Sequence, residues 1–411
     1  MDMTDEQEFA LERSRKLFRH FARTQCEGRS ALYSHLSYGI ADDEELLRIL
    51  LAAPPSQRRP SLLLASVNHL LGEYPGDPLA AYYPIHGGDR APDGQSLPAF
   101  LAFSRAHRVR LRDLLATRNT QTNEIRRCFA LRLGLARIAE LRPGPVALLE
   151  IGASAGLNLA LDAYTYRVAG RETGPAGGSP VILSTVPRGG GDVDGLLGAL
   201  PEIEYRMGAD LEPVDLAADA GAARWLEAFI WPEQVEELAV LRAAVELSKR
   251  HRYPVVRADA CTDTAALIAD VPGDLPVVVF TASLLSYLDA TARTRFIAQL
   301  AKAARHREVA WLFAEAPGLV SRTDVTAPAL AGPLRGNGEV YAVAMSLRAG
   351  TDRHDEVLAL AHPYMEWIAP ARTESDDFSW GMTELNLGSA RETLPGSSHG
   401  FGMAGPGRTP V

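Results

Sequence analysis

The chain has 411 residues, 46% of them hydrophobic and 23% charged, which is ordinary for a globular protein and too much for one small core. A net charge of −9 argues against nucleic acid as a general partner, since phosphate backbones demand clustered positive charge. Cys26, Cys128 and Cys261 are far apart and odd in number, so neither a disulfide framework nor a structural metal site is expected, and a reducing cytoplasm fits best.

Met1–Glu12 is acidic and lacks the basic-then-apolar start of a secretory signal. No uncharged apolar stretch approaches the ~20 residues of a membrane helix. Residues 1–145 read as mostly helical, from apolar spacing of three to four. Phe9–Thr24 sets Phe9, Leu17, Phe18 and Phe21 near one face. Leu46–Ala52 and Leu62–Leu71 follow, broken by Pro54-Pro55 and Pro60. A Pro/Gly-rich loop spans Tyr74–Pro98, and helices follow over Pro98–Thr117 and Glu124–Leu141.

From Val146 short apolar runs alternate with amphipathic stretches, the pattern of a parallel sheet covered on both faces. Strands are predicted at Val146–Ile151, Ile203–Ala209, Pro254–Ala258, Val277–Thr281 and Val309–Ala314, with helices at Pro232–His251 and Asp289–His306. Glu339–Arg348 and Glu356–Ile368 read as an antiparallel pair at the sheet edge. Gly170–Pro201 is rich in Gly and Pro and is expected to be an insertion or mobile flap. The stretch after Pro370 is expected to be poorly ordered.

The most informative segment is Leu148–Asn158, LLEIGASAGLN. A strand ends in Glu150, small residues follow, and a helix is predicted to open near Ala155. Small residues let a ligand approach the backbone, and a helix start offers free N–H groups and the positive end of its dipole. Glu150, Gly152, Ala153, Ser154, Gly156 and Asn158 are therefore candidate cofactor contacts. Tight strand-to-helix packing is the plainer reading of the same glycines.

The segment also spells Gly-x-Ser-x-Gly, the nucleophile elbow of α/β-hydrolases. His86-Gly87-Gly88 resembles their oxyanion loop, and His362 lies downstream as a candidate base. The elbow should follow several strands, yet the chain before Val146 reads helical. The hydrolase with Ser154 as nucleophile is the lesser alternative.

EIGASAGLNLALDAY (Glu150–Tyr164) resembles the signature of a bacterial family of unknown function. RNTQTNEIRR (Arg118–Arg127), RMGADLEPVD (Arg206–Asp215), WLEAFIWPEQ (Trp225–Gln234) and WLFAE (Trp311–Glu315) are similar to its other blocks, and the resemblance runs from about Phe18 to Ile368. It implies a Rossmann-like, class I methyltransferase-type sheet, mostly parallel with an antiparallel edge hairpin, and S-adenosylmethionine as cofactor. The sequence departs from the family's pattern at Thr281-Ala282-Ser283, where a His-Ser pair is usual. It departs again at His362-Pro363-Tyr364-Met365, where His-Pro-His-Gly is usual. Those departures keep open a protein that binds an adenosyl compound without turning it over.

On the methyltransferase plan Asp210 would accept hydrogen bonds from the ribose hydroxyls, although Asp210-Leu-Glu-Pro is also good turn chemistry. Asp259 would meet the adenine amino group, with a helix cap as its plainer role. Thr281 would contact the cofactor, and Ser283 and Tyr287 would face the acceptor, Tyr287 as a catalytic candidate unless it only packs. Glu315, ending the fifth strand, would be a base or would sit in a structural ion pair. His362 is a substrate-contact candidate and, more plainly, a core histidine. Gln121 and Asn123, with Thr122, would reach over the cofactor or cap the next helix. The organisation expected is a helical cap (1–145) covering the open edge of a cofactor-binding domain (146–370), then a tail (371–411). The function expected is methyl transfer to a small molecule in a closed pocket.

Overall fold

The computed structural model describes residues 5–121, 123–189, 193–219, 221–320 and 340–371. In chain order its strands are β1 (Val146–Ile151), β2 (Thr165–Val168), β3 (Arg171–Thr173), β4 (Ile182–Pro187), β5 (Ile203–Asp210), β6 (Val255–Arg257), β7 (Val277–Ala282), β8 (Val309–Glu315), β9 (Tyr341–Ala349), β10 (Asp352–Ala361) and β11 (Trp367–Pro370). They form one mixed, mostly parallel sheet in the order β3-β2-β4-β11-β10-β9-β8-β7-β1-β5-β6. From β1 the chain adds β5 and β6 on one side, then β7 and β8 on the other, all parallel. The strand order therefore reverses at β1, the place where open α/β sheets leave a crevice at their carboxyl ends.

The central strands carry the most apolar sequence because both their faces are covered. β1 and β8 are buried along their whole length. Cys128–Leu141 packs on one face with Leu148, Phe280 and Leu312, while Phe296 and Leu300 of Ala290–Ala303 cover the other beside Trp311. Asp289 caps that last helix by accepting the Ala292 N–H at 2.8 Å.

The helices before residue 120 form a second core, into which Trp225 and Trp231 insert. Asp5–Phe21, Ala31–Asp42, Glu44–Leu50, Pro60–Leu71, Ser96–Ala106 and Arg108–Thr117 make up most of it. They lie over the carboxyl ends of the central strands, leaving β6 and β3 as the lateral edges. Asn68 fastens the two regions, its side-chain amide donating to the carbonyls of Ala228 and Ile230. Among the described residues no helix is long and apolar enough to cross a membrane.

Four expectations need correction. The hairpin β9–β10 is internal: β10 continues into β11, which pairs in parallel with β4 at Trp367↔Val186. The Gly170–Pro201 segment is no flap, because β3 and β4 and the turn of helix Asp194–Leu197 all fall inside it. Phe9 is 68% exposed, since the buried face of its helix carries Leu11, Ser14, Phe18 and Phe21. Finally, no α-helix opens near Ala155; a 3₁₀ segment, Leu157–Ala163, follows a left-handed Gly156 and is kinked at Ala160. The tail after Ala371 lies outside the described residues.

Candidate functional site

A cleft of about 720 Å³ opens where the helical region meets the carboxyl ends of β1, β5 and β7. That volume is in the range of small-molecule sites. Its wall joins Gly152, Ser154, Asp210, Asp259 and Ser283 from the sheet with Phe21, Arg59 and Gln121 from the helical side.

The turn after β1 is built from left-handed residues at Gly152 (φ 81°), Ser154 (φ 50°) and Gly156 (φ 70°). A side chain is strained in that region, which is why glycine holds two of the positions. A Cβ on Gly152 would lie 3.2 Å from Leu284, and one on Gly156 2.7 Å from Val255. The turn's N–H groups are consumed inside the chain. Gly152 and Ala153 donate to the Ala209 carbonyl at 2.8 and 3.1 Å, Ser154 to Asp210 Oδ2 at 2.8 Å, and Gly156 to the Ala153 carbonyl at 2.7 Å. Ala155 faces Asn123 Oδ1 at 3.5 Å. The free amides expected of a helix start are therefore not offered here, because no α-helix begins.

Asp210 ties two loops together. Its Oδ2 takes the Ser154 amide and its Oδ1 takes the Glu212 amide at 2.9 Å, while the carboxylate still lines the cleft. Asp259 also lines the cleft, with Oδ1 accepting the Cys261 amide at 2.7 Å. Asn123 Nδ2 donates to Ser154 Oγ at 2.9 Å, and Gln121 Nε2 to the Glu212 carbonyl at 2.9 Å. Both bind the polar block before β1 to the loops after β1 and β5. Thr122 lies outside the described residues.

Other predicted contacts fall elsewhere. Thr281 is fully buried and accepts the Trp311 indole N–H at 3.1 Å, so the core uses its hydroxyl and the next residue, Ala282, reaches the cleft. Ala153 and Gly156 support the turn from behind. Asn158 donates to Glu150 Oε1 at 2.7 Å beneath the floor. Ser283, left-handed at φ 62°, shares a 2.8 Å hydrogen bond with the Tyr341 hydroxyl on the cleft wall. Tyr287 stands 42% exposed at the rim, with the Arg59 guanidinium 4.4 Å over its ring. His362 is not on the wall: its Nδ1 lies 3.6 Å from Glu366, and burial lowers its pKa to about 4 against that carboxylate's pull.

Two carboxyls lie under the floor. Glu150 and Glu315 are 3% and 0% exposed, and Oε2 of each makes no hydrogen bond. Burial raises Glu150 to about 8, opposed by the Asn158 amide, with Asp210 adding to the rise and Arg127 opposing it. Burial likewise raises Glu315 to about 8, against the Leu285 amide at 3.2 Å and Arg127. Glu315 is in no ion pair among the described residues, so the structural alternative for it is not met.

Sequence reasoning passed over Arg127. It is 7% exposed, lines the cleft, and is placed there by the 3₁₀ turn Ile125–Arg127. The signal was the adjacent pair Arg126-Arg127, only one of which can meet the neighbouring carboxylates; Arg126 takes Glu124 and Glu237.

The blocks that carried the resemblance converge on this cleft: Gln121 and Arg127 from the first, Asp210 from the second, Trp231 from the third. No curated protein and no solved structure matches the chain. A family model does, over residues 15–369, and the chain belongs to that family, DUF2332, described as an uncharacterized protein conserved in bacteria.

Proposed function

We propose that the protein binds S-adenosylmethionine in this cleft and transfers its methyl group to a small molecule. The observation that carries the reading is the joint placement of Gly152, Asp210 and Asp259 on one wall, at the carboxyl edge where strand order reverses about β1. Asp210 spends one acceptor position of each oxygen on backbone amides, leaving further lone pairs for ribose hydroxyls. Asp259 keeps Oδ2 for an exocyclic amine. The turn after β1, with its amides already satisfied, is a poor pyrophosphate cradle and suits a nucleoside without phosphates.

S-adenosylmethionine supplies an electrophilic methyl group, so the protein's part is chiefly alignment in a site closed by the helical region. Glu315, raised to about 8, is mostly protonated at neutral pH, so only its ionised fraction would serve as the base that takes an acceptor's proton, and that fraction grows as pH rises towards 8. A second reading, binding without turnover, is favoured by a cleft wall whose one histidine is His20 among the described residues. At Ser154 the hydroxyl accepts from Asn123, and no histidine hydrogen-bonds to it among the described residues, which leaves a hydrolase without its base.

S-adenosylhomocysteine is expected to raise the melting temperature and give a saturable calorimetric titration. No heat and no thermal shift at millimolar ligand would remove the reading. Release of S-adenosylhomocysteine from S-adenosylmethionine in the presence of bacterial extract separates turnover from binding alone.

A further inference from the structure

The cleft holds a buried cation, Arg127, that no carboxylate among the described residues pairs with. Arg127 Nε donates one long bond, 3.4 Å, to the Pro363 carbonyl. Among the described residues no carboxylate stands within ion-pair distance of it, whereas Arg137 has Glu356 and Arg206 has Asp162. Arg59 and Arg295 line the same cleft and are likewise outside any ion pair among the described residues. Of the three only Arg127 is buried, and a buried guanidinium that opens on a cleft with one long carbonyl bond and no carboxylate points to a ligand's negative charge.

The nearest buried acids do not serve. Arg127 pulls protons off Glu150 and Glu315, yet burial prevails and both titrate at about 8, so at neutral pH they are mostly uncharged. The turn amides after β1 are consumed and offer an anion nothing. Arg127 also adjoins an aromatic wall. Burial raises the Tyr364 phenol, and the charges of Arg29 and then Arg127 oppose the rise; its ring, with Arg29 stacked on it at 3.9 Å, lies 6.3 Å from Trp231, and Trp231 lies 5.8 Å from Phe21. All three rings line the cleft.

We propose that the second ligand of this cleft is a small organic oxyanion with a flat apolar body, its acid group held by the planar fork of Arg127 and its body laid along Phe21, Trp231 and Tyr364. Only its role as methyl acceptor rests on the methyltransferase reading; the anion site stands without it. A carboxylate and a phosphonate present the same chemistry to a guanidinium.

The test is calorimetric titration of the full chain with benzoate, phenylphosphonate and, as the uncharged control, benzyl alcohol. At least one acid is expected to bind ten-fold or more tighter than the alcohol, and the tighter acid identifies the headgroup. Arg127→Gln is expected to weaken that acid ten-fold or more and leave S-adenosylhomocysteine affinity unchanged. Arg127→Lys keeps the charge without the fork and should lose part of the affinity, which provides the readout if the glutamine variant does not fold. Equal binding of acid and alcohol, no binding of either acid at millimolar concentration, or unaltered acid affinity in the folded variants overturns the proposal. Loss of S-adenosylhomocysteine together with the acid in Arg127→Gln also overturns it, by giving the arginine to the cofactor. Acid binding without any S-adenosylhomocysteine binding in the unaltered protein keeps the anion site and removes the cofactor reading.

Discussion

Four acidic residues meet at the carboxyl edge of the sheet, and the pair on the β5–β6 side is built differently from the pair under β1 and β8. Asp210 is half-buried and Asp259 exposed, and their oxygens accept backbone amides of the loops they begin. Glu150 and Glu315 are buried, and each leaves one oxygen without a hydrogen bond. The aspartates hold loops in place and present the remainder of their acceptor capacity to the cleft. The glutamates hold protons. A carboxyl kept neutral by burial costs stability that an apolar residue would not, and such a cost is commonly borne where proton transfer is required.

The largest expected effect follows from the glutamates. Each has its folded-state pKa raised from 4.5 to about 8. Below pH 4.5 both states are protonated and nothing is lost. As pH rises from there towards 8 the unfolded chain ionises while the folded protein keeps its proton, so stability falls through that window. The loss is on the order of 4 kcal/mol for each residue by pH 8. Glu315→Gln and Glu150→Gln should each flatten this decline and leave the protein more stable than its parent at pH 8. Urea unfolding at several pH values measures it. A parental stability that does not change with pH would place both carboxyls in a wetter setting than their burial implies.

Asp210→Ala breaks the other half of the comparison. Two amides, Ser154 N–H and Glu212 N–H, would lose a charged acceptor, for a destabilisation of ~2–3 kcal/mol. Affinity for S-adenosylhomocysteine should fall ten-fold or more with it. Asp210→Asn keeps one acceptor oxygen and should recover about half of the stability. Lowered stability with unchanged affinity would make Asp210 a turn residue alone.

The same contrast explains what was readable in the sequence. β1, β7 and β8 were visible because continuous apolar runs can only be covered strands or buried helices, and their length and flanking turns decide between the two. β4 was hidden: its residues alternate in burial and sit between Gly- and Pro-rich stretches, and its partner β11 follows almost two hundred positions later. Without that partner the β9–β10 pair looked like an edge. At the site, Gly152, Ser154 and Asp210 could be placed from local pattern, because turn chemistry is local. Thr281 went astray by one residue, since β7 stays buried through Thr281, whose hydroxyl meets the Trp311 indole, and only its last residue, Ala282, reaches the cleft. Arg127 could not be told from Arg126, because one 3₁₀ turn decides which points inward.

The smallest expected effect concerns Ser154, whose part in the turn sets two terms against each other. Its backbone is left-handed at φ 50°, a conformation that costs a non-glycine residue about 1 kcal/mol, while its hydroxyl accepts the Asn123 amide, a bond worth a similar amount. Ser154→Ala keeps the strain and loses the bond, and should destabilise by ~1 kcal/mol. Ser154→Gly relieves the strain as it loses the bond, so its stability should stay within about 0.5 kcal/mol of the parent, the scale of a surface change. A serine nucleophile would behave otherwise: a fluorophosphonate probe would label the parent stoichiometrically and neither variant. With Asn123 as the partner of the hydroxyl and no histidine at hand among the described residues, no labelling is expected. Labelling that disappears in both variants would turn the Gly152–Gly156 turn into a nucleophile elbow. Asp210 would then hold the turn that presents Ser154, and the aspartate side of the cleft, not the glutamate side, would carry the chemistry.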